Sequence, residues 1–236
     1  MANQPQGGEI KNKILVRLSP SDRRLLEPNL SIVDLPFRKM LEARNRRIEY
    51  VYFLHAGFAS VVGSNRNLNN TEVGVIGHEG VTGMPVILGV DSSPHETYMQ
   101  LSGYGSRISA ANLRAAMEES SSLRRVLTRY AHVFLTQVAY TALCNGRSKL
   151  EERLARWLLM AHDRSSGGDL ILTHELLAMM LGVRRPGVTT ALSLLEDKGL
   201  ITPRRGAISI NDRDGLKLIA NGAYGSPEAE WNRIFS

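Results

Sequence analysis

The chain changes character near residue 110. From Ile32 to Ile108 glycines punctuate short apolar runs, Tyr50 to Leu54, Ala59 to Val62, Thr71 to Ile76 and Tyr98 to Leu101, whereas Ala111 to Leu143 contains no glycine at all. Short runs bounded by Gly57, Gly63, Gly74, Gly77, Gly103 and Gly105 predict strands of a barrel or sandwich. Ahead of them, Ser19-Pro20-Ser21-Asp22 predicts a capped short helix through Leu26. In the glycine-free stretch, apolar or small residues recur at alternating spacings of four and three: Ala116, Ser120, Leu123, Leu127, Tyr130, Phe134, Gln137, Thr141. That period predicts one long helix with a seam, which serves either a partner helix or a core face. A small domain seldom buries so long a helix completely, so a second copy is expected along Leu123, Leu127, Tyr130, Phe134 and Gln137. Asn145-Gly146 is the expected helix stop and hinge, before a further helix from Lys149 to His162. The fold class is α+β, divided as 1–110, 111–145 and 146–236.

Composition narrows the function. The chain has 236 residues, 43% of them hydrophobic and 22% charged, as in ordinary folded proteins. No run approaches the roughly 18 apolar residues of a membrane span, and the start MANQPQGGEIKNK lacks the apolar stretch of a signal peptide, so a cytoplasmic location is expected. The single cysteine, Cys144, excludes an internal disulfide, a cysteine zinc site and an iron-sulfur cluster within one chain, and reads as a small packed residue. A formal charge of +6 raises the odds of a polyanionic partner, and only the placement of the charges can decide it.

That placement is found between Thr173 and Gly199. Thr173 is a good helix N-cap with Glu175 in the first turn; Leu177 and Leu181 point inward, Ala178 stays small, Gly182 can take the left-handed conformation, and Val183 anchors the turn. Val188, Ala191, Leu192 and Leu195 then form the inner face of a second helix, the order of a helix-turn-helix. A bare helical hairpin would need only the apolar residues. Here the outer face carries Arg184, Arg185, Pro186, Thr189, Thr190 and Ser193, residue types that can read base edges in a major groove. Leu200 to Ile210 follows as a two-stranded wing with Arg204 and Arg205 near its tip, placed to contact phosphates.

With these residues in view, the chain resembles the Crp/Fnr family of bacterial transcription regulators over nearly its whole length. The resemblance is carried by Cys144-Asn145-Gly146, Leu150 to Arg164, Leu172 to Ala178 and Leu181 to Thr189. It implies an N-terminal β-roll like those that bind cyclic nucleotides, a long dimerisation helix, a winged helix-turn-helix and a near-palindromic double-stranded operator. RNA polymerase is an expected partner if the chain activates. By position, Arg185 and Thr190 fall where family members reach base edges, and Arg184 stands where a serine cap is usual.

The first half departs from the cyclic-nucleotide pattern. Gly83 is followed by Met84 rather than the ribose-binding glutamate, and Ser93 to Tyr98 lacks the phosphate-binding arginine, while Glu96 would repel a phosphate. Cyclic AMP is therefore not the expected effector; Arg107 is the nearest candidate for a cation supplied from elsewhere. No cofactor is expected, and the effector, if there is one, is not named by the sequence.

A second function class is a cupin-like β-barrel metalloenzyme with a helical appendage. It would need clustered metal ligands, but His55, His78 and His95 are scattered, and His78-Glu79 and His95-Glu96 match neither an HxH nor an HExxH spacing. A non-enzymatic, DNA-binding homodimer is the expected function.

Overall fold

A computed structural model describes residues 11–65, 68–165 and 168–236. They form two compact units, one running to Val61 and resuming at Val75–Phe134, the other comprising Val62–Gly74 and Leu135–Ile234.

The first unit opens with helices Lys13–Arg17 (α1) and Pro20–Leu26 (α2). The buried Asn12 side chain accepts from the backbone of Ile14 and Leu15 and donates to the carbonyls of Leu54 and Gly80, fixing α1 on the sheet. The strands are Ser31–Leu35 (β1), Met40–Glu42 (β2), Tyr50–Asn65 (β3), Leu68–Ile76 (β4) and Glu96–Ser109 (β5), with a short helix Met84–Ile87 (α3) before β5; the end of β3 and most of β4 fall in Val62–Gly74, which is counted with the second unit. Their order is β1-β5-β3-β4, with β2 also paired to β5.

The expected short strands fuse. Tyr50 to Leu54 and Ala59 to Val62 belong to the single strand β3, and β5 runs through both Gly103 and Gly105. A Cβ on Gly103 would lie 1.9 Å from the Ala56 carbonyl oxygen, and one on Gly57 only 2.4 Å from that of Leu101. These glycines let two backbones approach closely instead of ending strands.

The expected long helix is two helices, Ala110–Glu119 (α4) and Ser121–Arg147 (α5). At the break, the hydroxyls of Ser120 and Ser122 both donate to Asp22. At the other end, Asn145 and Gly146 lie inside α5 rather than stopping it; the interruption falls at Ser148-Lys149, before Leu150–Arg164 (α6). A helix-interior glycine costs only about 1 kcal/mol, which tertiary packing can override.

The seam is also covered differently. Leu123 and Leu127 are 0% exposed within the single chain, and Tyr130 and Gln137 are buried too, with Phe134 half-buried. The Tyr130 hydroxyl occupies the space a Cβ on Gly80 would need. The large apolar residues that α5 leaves exposed are Leu135 (64%) and Leu143 (56%).

The second unit contains α6, Leu170–Ile171 (β6), His174–Leu181 (α7), Arg185–Asp197 (α8), Ile201–Arg204 (β7), Ala207–Ile210 (β8), Arg213–Ile219 (α9) and Ser226–Phe235 (α10). Its sheet has the order β6-β8-β7, so the wing is three-stranded; β6 pairs antiparallel with β8, an element the two-stranded reading missed. Arg213 ties α9 to α6, bonding Asp163, the Tyr224 hydroxyl and Nδ1 of His162.

Candidate nucleic-acid interface

The interface is built by a local sequence. The Thr173 hydroxyl accepts from the Leu176 amide and starts α7. Gly182 ends it with φ +63°, and the Val183 amide closes back on the Ala178 carbonyl at 2.9 Å. This is the left-handed stop in which an L side chain would be strained. Leu177, Ala178, Leu181, Val188, Ala191, Leu192 and Leu195 are buried, so α7 and α8 share one apolar seam.

Arg184 is the N-cap of α8 but makes no side-chain cap bond, and Pro186 sits in the first turn, where its missing N–H has no intrahelical acceptor. Arg184, Arg185, Pro186, Thr189, Thr190 and Ser193 are all exposed on this helix. The hydroxyls of Thr189 and Thr190 bond back to the carbonyls of Arg185 and Pro186. The wing turns at Arg205-Gly206, between paired Arg204 and Ala207, which leaves both arginines exposed.

Arg185, Arg204 and Arg205 line one groove of about 340 Å³, together with Leu172, Thr173, His174, Glu175 and the strand residues of the wing. Arg184 at the N-cap and Pro186, Thr189, Thr190 and Ser193 on α8 are not among the residues lining this groove.

Three contacts at this site were missed by sequence reasoning, those of His174 and Asp169, which it did not single out, and that of Glu175, which it placed only in the first turn of α7. Nδ1 of His174 lies 3.0 Å from the Thr189 hydroxyl, Glu175 is 3.8 Å from Arg185, and Asp169 is 3.5 Å from Arg204. The Thr173 cap places His174 and Glu175 in the first turn of α7, so their position was legible, but their partners on α8 were not. These carboxylates hold the arginines in exposed pairs that phosphates or bases can replace.

Elsewhere, the Gly83 amide donates to Glu42 at 2.7 Å, so a carboxylate does stand beside Gly83, contributed by β2 rather than by residue 84. His55 is buried with Nδ1 accepting from the Asn12 amide and Nε2 bonded to Ser106, while His95 is exposed. Among the described residues, no three His, Cys, Asp or Glu side chains converge to hold a metal ion. Cys144 is buried, with its thiol 3.8 Å from the Ala223 carbonyl.

Residues 152–219 match the Crp-like helix-turn-helix domain family. The chain carries a Crp-like helix-turn-helix domain. No curated protein sequence matches the chain. Among solved structures it is similar to a transcriptional regulator of the Crp/Fnr family from Eubacterium rectale, with 17% identity, a TM-score of 0.69 and coverage of 91% of this chain and 100% of that one. It is similar to FixK2 from Bradyrhizobium japonicum (18% identity, TM-score 0.67, 80% and 96% covered). A third likeness is to the c-di-GMP responsive global regulator CLP of Xanthomonas campestris (15% identity, TM-score 0.64, 81% and 99% covered). The fold is thus Crp/Fnr-like throughout: an N-terminal sheet, a long helix and the Crp-like domain, which starts in α6 and ends with α9.

Proposed function

We propose that this chain is a transcription regulator that binds DNA as a homodimer, α8 entering the major groove and the wing lying on the backbone. The observation that carries the reading is the groove that gathers Arg185, Arg204 and Arg205 beside an α8 face that exposes Arg185, Pro186, Thr189 and Thr190 and no large apolar side chain at its first turns. Arg185, Thr189, Thr190 and Ser193 are the base readers and Arg184, Arg204 and Arg205 the phosphate contacts. Dimerisation uses the side of α5 that the chain leaves open, with Leu135, Ala139 and Leu143, rather than Leu123 and Leu127. A two-fold dimer reads half-sites about 34 to 36 Å apart, hence a near-palindromic operator. RNA polymerase is a partner if the protein activates.

The N-terminal sheet is the sensor. Cyclic AMP is a poor fit to it, because Glu42 already takes the Gly83 amide and no arginine stands between Ser93 and Tyr98. No helix among the described residues is long and apolar enough to cross a membrane, which agrees with action on DNA in the cytoplasm. Selection of bound duplexes from a random library with the full chain tests the proposal. An enriched inverted repeat with one helical turn between half-site centres is expected, and an unenriched pool bound at every sequence alike would overturn it.

A further inference from the structure

A groove of about 290 Å³ lies on the first unit, lined by Ile32, Val33, Asp34 and Leu35 of β1, Lys39, Tyr52 of β3 and Arg107 of β5. It plays no part in the DNA-binding proposal. The Arg107 guanidinium stacks 4.3 Å over the Tyr50 ring and lines the groove together with Tyr52, both tyrosines being on the neighbouring strand. Its Nε–H is nevertheless buried with no acceptor. Buried polar groups without a partner are uncommon in folded proteins, and an arginine binds carboxylate or phosphate best through two parallel N–H groups. Lys39 is exposed and forms no ion pair among the described residues. Among the described residues, Asp34 is the one carboxylate lining the groove, against these two cations. Ile32, Val33 and Leu35 supply an apolar wall.

We propose that this groove binds a small organic oxyanion, a carboxylate or phosphate head on a short apolar body, with Arg107 clamping the head, Lys39 adding charge and the β1 side chains taking the body. The volume is near the lower end for small-molecule sites and suits a metabolite smaller than a nucleotide.

The test uses the full chain at low chloride and four probes: inorganic phosphate, acetate, benzoate and phenyl phosphate. Calorimetry is paired with proton–nitrogen spectra that resolve arginine Nε–H resonances. Benzoate or phenyl phosphate should move the Arg107 Nε–H resonance and bind at least about tenfold more tightly than its head group alone. Arg107→Ala should weaken that binding at least about tenfold, Arg107→Lys less, and Lys39→Ala about threefold, while Arg46→Ala, at an exposed arginine that does not line the groove, should leave it unchanged. Asp34→Asn should tighten it. An Arg107 resonance unmoved by all four probes at about tenfold the concentration that saturates typical weak sites would overturn the proposal. So would undiminished binding by an Arg107→Ala protein that melts like the wild type. Equal affinity for phosphate and phenyl phosphate would overturn the organic body and leave an inorganic oxyanion as the ligand.

Discussion

Glu72 accepts a 2.6 Å hydrogen bond from the indole N–H of Trp157, and both residues are buried inside the second unit. Glu72 stands on β4, at the end of the hairpin that joins this unit, and Trp157 in the middle of α6. The nearby Arg156 guanidinium, itself buried, also feels the carboxylate's charge. Trp157→Phe keeps most of the ring but removes the donor, so it should cost about 1 to 3 kcal/mol. Glu72→Gln keeps an acceptor for the indole and should melt between that variant and the wild type. Each kcal/mol corresponds to roughly 2 to 4 °C for a chain of this size. Thermal unfolding of the two variants checks the order.

Arg185→Ala should weaken operator binding by roughly 1 to 3 kcal/mol and relax preference at one base pair per half-site. Arg204→Ala and Arg205→Ala should weaken all sequences alike and reduce the salt slope by about one each. Binding titrations across salt, on the operator and on scrambled duplex, separate the two classes. Identical specificity profiles would remove the distinction between base reader and phosphate clamp.

His174 and Glu175 touch the recognition helix without belonging to it. His174→Ala removes one of the two partners of the Thr189 hydroxyl, leaving the Arg185 carbonyl, and Glu175→Gln removes the charge paired with Arg185. The first should blur base preference with little change in affinity for scrambled duplex. The second should raise that non-specific affinity about two- to fivefold, since an exposed carboxylate competing for the arginine is gone. A base-preference matrix measured for each variant distinguishes these effects from a loss of folding.

The two sides of α5 should respond differently to charge. Leu127→Glu places an ion in the chain's own core and should unfold or severely destabilise the protein, by about 3 kcal/mol or more. Leu135→Glu and Leu143→Glu should stay folded yet sediment as monomers with weakened operator binding. Sedimentation combined with circular dichroism reads both properties. A folded Leu135→Glu, Leu143→Glu double variant that remained dimeric would place the interface elsewhere.

Burial pushes the Glu42 carboxyl above the usual carboxylate range, while the bonds from the Gly83 amide and Thr97 pull it down and only partly compensate. A carboxyl raised in the folded state contributes stability below its unfolded pKa of about 4.3, and that contribution is lost as pH rises through the folded value. Glu42→Gln retains an acceptor and is never charged. It should therefore melt a few degrees above the wild type at pH 7 and no higher at pH 4. A constant difference across that range would assign the effect to packing rather than ionisation.

The helix-turn-helix was legible because each of its determinants is local. The Thr173 cap, the Gly182 stop, the inward spacing from Leu177 to Leu195 and the outer polar residues of α8 all act within neighbouring turns, where side-chain period and backbone conformation follow from residue type. The wing arginines were legible for the same reason. The third wing strand was not, because Leu170–Ile171 is too short to show a period and becomes a strand only by pairing with β8.

By itself the sequence determined the α+β order, the two-helix reader and its exposed chemistry. Only the tertiary structure decided which side of α5 faces the chain's own core, since an apolar stripe does not say whether it meets its own sheet or another copy. It also decided that Gly57 and Gly103 lie within strands, because their backbones cross at distances no Cβ could tolerate. The same holds for Glu42 beside Gly83, for Glu175 beside Arg185 and for the unpaired edge of Arg107. Each depends on residues distant in sequence or on separate elements being brought within hydrogen-bonding or ionic reach, and periodicity along one segment carries no information about what a second segment will place there.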